Sequence, residues 1–200
     1  MGELSPTLTL ARSELILGGQ KSGKSRRAEG LARHWLQASP AHQALLIATA
    51  RPWDQEMRER IARHQSDRAA QVPGLRTLEE PLALAQAITQ HSRPDTLVLV
   101  DCLTLWLTHW LMPMEAHSET AQPPVPLTGA PVAALLDAMA SAPGPLVLVG
   151  NEIGLGVIPM GAEVRAFVDA LGLLNQQVAA ACQRVTLMVA GLPLTLKDSG

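Results

Sequence analysis

The chain has 200 residues and a formal net charge of −2 at pH 7, and 47% of it is hydrophobic although it contains one Phe, no Tyr and four Trp. This length fits one domain over residues 1–200 with an aliphatic core, and the charge gives no reason to expect nucleic acid or an anionic membrane as partner. The longest apolar stretch, 97–112, is broken by Asp101 and His109 and is too short to span a bilayer. The first dozen residues lack the apolar core of a secretory signal, so we expect a cytoplasmic protein whose Cys102 and Cys182 are buried free thiols.

Short apolar runs alternate with segments of helical periodicity along the chain. The predicted strands are Glu14–Leu17, Ala44–Ala48, Thr96–Val100, Leu146–Gly150 and Val185–Ala190. The predicted helices are Ser25–Gln37, Trp53–Gln65, Pro81–Ser92, Leu103–Leu111, Pro131–Ala142 and Ala162–Gln183. Strands that are apolar at consecutive positions are typical of a parallel sheet covered on both faces, so we predict a doubly wound α/β fold. The Pro-rich segment Pro113–Pro131 has no periodicity and is predicted to be an exposed, mobile loop.

A phosphate-loop pattern, GxxxxGK[ST], follows the first predicted strand and precedes the first predicted helix. Its residues are Gly18, Gly19, Gln20, Lys21, Ser22, Gly23, Lys24 and Ser25. In this context the backbone amides and the helix N-terminus bind a polyphosphate, Lys24 reaches the β and γ phosphates, and Ser25 is a ligand of Mg²⁺. A glycine-rich turn with an incidental Lys-Ser pair is the alternative, but the flanking strand and helix favour a nucleoside triphosphate site.

Asp101 ends a predicted buried strand, where a second group directed at Mg²⁺ belongs in a phosphate-loop protein. It is also suited to be the N-cap of the following helix. The loop Asn151–Pro159 follows another predicted strand, so Asn151 and Glu152 are expected at the same edge of the sheet. That loop is either a ligand or subunit contact or an ordinary connection.

His64 shares one face of a predicted helix with Met57, Arg60 and Ile61. A single histidine on such a face is commonly a core or surface residue. If it is neutral at the working pH, it is also able to attack the α-phosphate of a nucleoside triphosphate and form a phosphoramidate, with Arg60 and Arg68 neutralising charge. The spacing alone leaves both interpretations open.

Together these stretches resemble the bifunctional adenosylcobinamide kinase / adenosylcobinamide-phosphate guanylyltransferase family of cobalamin biosynthesis. The matching pieces, in family order, are GGQKSGKSRRAE at 18–29, ATARPWDQEMRERIARH at 48–64, TLEEP at 77–81, VDCLTLWLTHWL at 100–111, NEIGLGVIP at 151–159, the helix at 164–185 and VAGLP at 189–193. The resemblance implies a RecA-like phosphate-loop fold and an assembly into homotrimers. It also implies two reactions. A nucleoside triphosphate, ATP or GTP, phosphorylates adenosylcobinamide, and GTP then transfers GMP to adenosylcobinamide phosphate through a GMP–histidine intermediate.

The resemblance also implies roles for individual residues. His64 ends the family motif DxEMxxRIxxH and is the histidine that carries GMP. The implied nucleotide contacts are Gly18–Ser25, Thr49, Ala50, Arg51, Gln65, Ser66, Asp67, Arg68, Glu79 and Asp101. Two departures concern the helices: His109 stands where many relatives carry Asn, and Arg63 stands where some have a second histidine.

Two other functions are compatible with the residues. A simple phosphate-loop kinase of small molecules would leave His64 with a structural role. A RecA-like nucleotide-dependent switch that moves a protein partner would hydrolyse the nucleotide slowly and phosphorylate no acceptor. The absence of a basic stripe argues against a nucleic-acid motor.

Overall fold

The computed structural model describes residues 9–51, 55, 58, 59, 63, 66, 68, 70–112, 129–157 and 159–199, and within these ranges seven strands form one sheet. In chain order the strands are β1 (Ser13–Gly18), β2 (Gln43–Ala48), β3 (Leu75–Glu79), β4 (Thr96–Asp101), β5 (Leu146–Val149), β6 (Arg184–Val189) and β7 (Leu192–Asp198). Their order across the sheet is β3-β2-β4-β5-β1-β6-β7. All pairs are parallel except β6 with β7, which confirms the predicted mostly parallel α/β sheet.

Helices cover both faces of this sheet. They are α1 (Lys24–Ala38), α2 (Leu84–His91), α3 (Leu103–Leu111), α4 (Ala130–Ser141) and α5 (Ala162–Ala181). The described residues among 55–71 are helical as well, in agreement with the helix predicted over Trp53–Gln65. Pro131 falls in the first turn of α4, where its fixed φ suits a helix start, so the end predicted for the loop at residue 131 is wrong. Residues 113–128 of that loop lie outside the described residues.

Two strands at the edges of the sheet were not predicted from the sequence. β3 is short and mostly exposed, so it lacks the consecutive apolar residues of a central strand. β7 contains Pro193, which argues against a central strand but is tolerated at an edge. Both edges therefore lack the signal that identified the other five strands.

The core lies on both faces because successive strand side chains point to opposite sides. On one face, Leu15 of β1 and Val98 of β4 pack with residues of α2, α3, α4 and α5. On the other face, Ile16 and Leu97 pack with Leu31 of α1. The strands are thus buried on both sides, as their continuous apolar runs predict.

A buried ion pair attaches α1 to the sheet. The Glu14 side chain is fully buried on β1, and Arg27 of α1 donates from Nε to Glu14 Oε1 at 2.8 Å. The hydroxyl of Thr186 donates to the same oxygen at 2.8 Å. The guanidinium of Arg184 lies 3.8 Å from Glu14 Oε2 and pairs with Asp198 at 2.9 Å. These contacts fix the helix that follows the phosphate loop relative to β1 and β6.

Within the described ranges, none of the helices combines the length and the apolar character that crossing a membrane requires.

Candidate active site

The predicted phosphate loop connects β1 to α1. Gly18 is the last residue of β1, and Lys24 is the first residue of α1. Gly23 precedes the helix with φ 102°, and its carbonyl accepts a hydrogen bond from the Arg27 N–H at 3.0 Å. Because the first amides of a helix have no partner within it, this end of α1 offers N–H donors to an anion in the loop.

The β6–β7 hairpin supports the loop. A Cβ on Gly18, whose φ is 151°, would lie 2.5 Å from the carbonyl oxygen of Met188 and 2.6 Å from Ser22 Oγ. A Cβ on Gly23 would lie 3.2 Å from the Cα of Gly191, at the hairpin turn. The Gly191 N–H donates to the Ser22 carbonyl at 3.0 Å. Glycine is therefore required at Gly18 by both space and backbone conformation.

Lys24 lies across the loop with its side chain largely buried. Its Nζ donates to the carbonyl oxygens of Gly18 at 3.0 Å and Gly19 at 2.6 Å. Burial lowers the pKa of the Lys24 amine, while the nearby Cys102 and Asp101 oppose that shift. The amine is thus held at the position from which a phosphate-loop lysine reaches bound phosphates.

Ser25 and Asp101 come together, as predicted for ligands of one Mg²⁺ ion. Ser25 Oγ donates to Asp101 Oδ2 at 3.3 Å. Asp101 is the last residue of β4 and Ser25 follows β1, and β5 lies between these two strands in the sheet. A hydroxyl and a carboxylate oxygen are hard ligands of the kind that Mg²⁺ prefers. No group of three or more His, Cys, Asp or Glu that could hold a metal occurs among the described residues. Two protein oxygens fit a Mg²⁺ ion that takes its other ligands from phosphates and water.

The remaining described candidates lie along the same edge of the sheet. Ala48, at the end of β2, is in register with Glu79 of β3 and with Asp101 of β4. Thr49, Ala50 and Arg51 follow β2 directly. Four strand spacings of about 4.8 Å separate β3 from β1, so this edge extends for roughly 19 Å from Glu79 to the phosphate loop. Such a length accommodates an extended nucleotide.

Asn151 and Glu152 lie at this edge too, as predicted from the strand before them. The Glu152 N–H donates to the Gly18 carbonyl at 3.1 Å, which places the loop after β5 against the phosphate loop. The Asn151 N–H donates to Thr104 Oγ1 at 2.9 Å, and Asn175 Nδ2 donates to the Asn151 carbonyl at 3.1 Å. Side chains of α3 and α5 therefore hold the start of the Asn151–Pro159 loop.

Thr49 forms a buried junction between β2 and β4. Its N–H donates to the Asp101 carbonyl at 3.0 Å, and its hydroxyl donates to the Cys102 carbonyl at 2.7 Å. The same hydroxyl accepts from the Cys102 N–H at 2.8 Å. Nε2 of the buried His109 lies 2.7 Å from the Thr49 carbonyl oxygen. The nucleotide contact expected of Thr49 stays a prediction, and its side chain is engaged in joining the two strands.

Three of the predicted site residues, His64, Gln65 and Asp67, lie outside the described residues. Ser66 and Arg68 are helical, with Ser66 exposed and Arg68 half-buried. The assigned roles of these five residues remain predictions.

Two contacts at this edge of the sheet were missed in the sequence. The turn at Ala190–Gly191 touches the phosphate loop, and the alternation of Leu192, Leu194 and Leu196 was the available signal for the strand behind it. The contact of His109 with Thr49 joins residues 60 positions apart and has no local signal in the sequence.

Comparison with known proteins connects this geometry to a family. Residues 14–196 match the family model of cobinamide kinase / cobinamide phosphate guanyltransferase. The chain belongs to this family. It is 46% identical over 187 residues to the bifunctional adenosylcobalamin biosynthesis protein CobP of Pseudomonas aeruginosa. The aligned region covers 92% of this chain and 96% of that protein. It is 34% identical over 190 residues to CobU of Escherichia coli K12, also named a bifunctional adenosylcobalamin biosynthesis protein, with coverage of 92% and 98%.

The match to the cobinamide kinase / cobinamide phosphate guanyltransferase family includes every element of the sheet edge described above. It begins at Glu14, ahead of the phosphate loop, and ends at Leu196 in β7. The phosphate loop, the Ser25–Asp101 contact and the Thr49 junction therefore all belong to the domain that defines the family.

Proposed function

We propose that this chain phosphorylates adenosylcobinamide with a nucleoside triphosphate and then transfers GMP from GTP to adenosylcobinamide phosphate. Family membership supports this proposal, and so does the contact between Ser25 and Asp101 beside a phosphate loop. That contact carries the most weight, because it joins two distant parts of the chain at the position where a Mg²⁺–nucleotide is bound in phosphate-loop enzymes.

In the first reaction the substrate hydroxyl attacks the γ-phosphorus, and the bond from this phosphorus to the β-γ bridging oxygen breaks. Lys24 would exchange its bonds to the Gly18 and Gly19 carbonyls for bonds to phosphate oxygens. The α1 amides would stabilise the charge that develops on the leaving nucleoside diphosphate. The acceptor proton leaves to solvent.

We propose Ser25 and Asp101 as the protein ligands of Mg²⁺. When bound there, Mg²⁺ would neutralise charge on the phosphate oxygens of the nucleotide. Asp101 in addition orients the Ser25 hydroxyl through the 3.3 Å hydrogen bond.

In the second reaction we propose His64 as the nucleophile. Its neutral imidazole attacks the α-phosphorus of GTP, the bond to pyrophosphate breaks, and a phosphoramidate with GMP forms. A phosphate oxygen of adenosylcobinamide phosphate then attacks the same phosphorus and releases the histidine. We assign nucleotide contacts to Thr49, Ala50, Arg51, Gln65, Ser66, Asp67, Arg68 and Glu79, along the edge between β3 and the phosphate loop.

We further propose that the protein is cytoplasmic and forms a homo-oligomer, a trimer by the family resemblance. The two cysteines are free and buried, which suits a reducing compartment. Leu192, Leu194 and Leu196 of β7 are each more than half exposed, an apolar face of the kind that subunit contacts cover. Light scattering of wild type and Leu194→Asp tests this: a trimer that Leu194→Asp dissociates supports it, and a monomeric wild type contradicts it.

The two reactions are tested together with adenosylcobinamide, Mg²⁺, ATP labelled at the γ-phosphate and GTP labelled at the α-phosphate. We expect γ label in a corrinoid monophosphate and α label in a corrinoid–GDP product, separated by chromatography. Lys24→Ala should reduce both products strongly. Arg33→Ala, which removes an exposed cation from the same helix, should reduce neither. Transfer of γ label alone would indicate a plain kinase, and transfer of neither label would refute the proposal.

A further inference from the structure

We propose that Glu152 is the catalytic base of the phosphorylation step and accepts the proton of the substrate hydroxyl as that oxygen attacks the γ-phosphorus. This inference rests on the proposed kinase reaction, and it names the first acceptor of a proton that then leaves to solvent. The hydroxyl oxygen forms its bond to phosphorus, the bond to the β-γ bridging oxygen breaks, and the leaving nucleoside diphosphate keeps that electron pair. Glu152 ends the step protonated and returns to the carboxylate by losing the proton to water.

The first observation is the position of Glu152 between the phosphate loop and Asp101. β5 lies between β1 and β4, and its last residue, Val149, is in register with Ile16 of β1 and with Asp101. Glu152 comes three residues after Val149, where the chain leaves this central strand. Because the loop lysine and Mg²⁺ both bind the β and γ phosphates in phosphate-loop enzymes, the γ-phosphate is expected at this part of the edge.

The second observation is that polar contacts fix the backbone of Glu152. Its N–H donates to the Gly18 carbonyl at 3.1 Å, and Lys24 Nζ donates to the same oxygen at 3.0 Å. One residue earlier, the amide and the carbonyl of Asn151 are bonded to side chains of α3 and α5 at 2.9 and 3.1 Å. A catalytic group needs such support, because its placement relative to the reacting atom decides how much it accelerates the reaction.

The third observation is that the Glu152 carboxylate has an oxygen to spare. Its Oε1 accepts the Gly154 N–H at 2.9 Å, and its Oε2 forms no hydrogen bond with another described residue. Within the described part of the chain, Glu152 takes part in no ion pair either. The side chain is half-buried, and the loop beyond it, with Leu155 and Val157, is exposed. A large acceptor is therefore able to approach the carboxylate from this side.

The other described carboxylates at this edge of the sheet are engaged or distant. Asp101 accepts a hydrogen bond from Ser25 and is our proposed Mg²⁺ ligand, and the charge of the cation makes such a carboxylate a poor base. Glu79 and Glu80 lie at the β3 end of the edge, roughly 19 Å from the phosphate loop by strand spacing. Among the described carboxylates, Glu152 is therefore the one placed to take the proton.

A structural role is the alternative, in which the carboxylate only holds the turn to Gly154. Glu152→Gln separates the two roles, because Gln keeps an Oε1 that accepts the Gly154 N–H but does not take up a proton. Glu152→Ala removes both properties. Glu163→Gln is the matched control, since it removes an exposed carboxylate from the first turn of α5 by the same substitution.

The test measures phosphorylation and guanylylation on the same preparations. Purified full-length wild type and the three variants are mixed with Mg²⁺, adenosylcobinamide and ATP labelled at the γ-phosphate. The turnover number and the KM for each substrate are determined from the labelled corrinoid. Covalent labelling by GTP with label at the α-phosphate is measured separately, because attack by a neutral imidazole does not require this base. Thermal unfolding reports folding.

We expect Glu152→Gln to slow turnover in phosphorylation by about 100-fold or more, the usual contribution of a general base. Both KM values and the rate of GTP labelling should stay within about threefold of wild type. Glu152→Ala should be at least as slow as Glu152→Gln, and Glu163→Gln should match wild type. A loss below about tenfold in Glu152→Gln would overturn the inference, whatever the rate of Glu152→Ala. A parallel loss of phosphorylation and labelling would overturn it too, since it indicates a general change in the nucleotide site.

If Glu152→Gln does not fold, Glu152→Ala is assayed with and without formate, whose carboxylate supplies a free base. Slow phosphorylation that formate accelerates supports the inference, and a rate that formate leaves unchanged overturns it. A wild type that phosphorylates no adenosylcobinamide refutes the proposed kinase reaction itself. That failure is thus distinguished from an active kinase that does not depend on Glu152.

Discussion

The close packing of Gly18 against the β6–β7 hairpin predicts that Gly18→Ala destabilises the protein and its nucleotide site together. The added Cβ would lie 2.5 Å from the Met188 carbonyl oxygen and 2.6 Å from Ser22 Oγ, closer than ordinary contacts allow. The backbone at Gly18, with φ 151°, is also one that alanine rarely adopts. Strain of about 1–3 kcal/mol for the backbone and about 1–3 kcal/mol for overpacking give a loss of about 2–6 kcal/mol in the free energy of unfolding.

Gly19→Ala is the matched control, one residue further along the same loop. A Cβ at Gly19 would meet no heavy atom within 4 Å, so we expect a change below about 0.5 kcal/mol. Urea unfolding of both variants measures the difference, and the melting temperature of Gly18→Ala should fall by roughly 4–24 °C. Equal stability of the two variants would refute the argument that the hairpin leaves no space at Gly18.

Three further predictions concern buried groups. Glu14→Gln should lower the free energy of unfolding by about 3 kcal/mol, because it leaves the guanidinium of Arg27 without its carboxylate. The double variant Glu14→Leu, Arg27→Met removes both charges and should recover part of this loss, as measured by urea unfolding. Burial raises the pKa of Cys102 to about 11 and of Cys182 to about 12, so a thiol reagent at pH 8 should modify both only after unfolding; fast modification of the native protein would contradict this. The pKa of His109 is lowered in the folded protein, so as the pH falls through about 6.5 the unfolded chain binds a proton at this residue before the folded protein does. Wild type should therefore lose more stability than His109→Gln between pH 8 and 5.5 in urea unfolding. An equal loss would contradict the lowered pKa.

The elements that the sequence predicted well are those whose signal is local. α3 was predicted with its bounds, and the five predicted strands match the observed bounds to within one residue at each end, because continuous apolar runs occur where both faces of a strand are covered. The edge strands β3 and β7 were missed because one side of each is open to solvent. Neither therefore shows the continuous apolar run of a central strand, and in β7 the available signal was the alternation of Leu192, Leu194 and Leu196.

The same distinction applies to the site. The phosphate loop is a contiguous motif, and its glycines, Lys24 and Ser25 were found from spacing alone. Asp101 was found because a carboxylate after a buried strand is a recognisable pattern, and its contact with Ser25 is as expected. The link from His109 to Thr49 depends on how α3 packs beside β2, which no local pattern encodes.

Covalent labelling of His64 tests the central claim most directly. The protein is incubated with Mg²⁺ and GTP labelled at the α-phosphate, then denatured, and label that is labile in acid and stable in alkali is measured. We predict such label in wild type and in His34→Ala, which removes an exposed histidine of α1, and none in His64→Ala. Label that persists in His64→Ala, or a wild type that binds GTP without becoming labelled, would contradict the GMP–histidine mechanism.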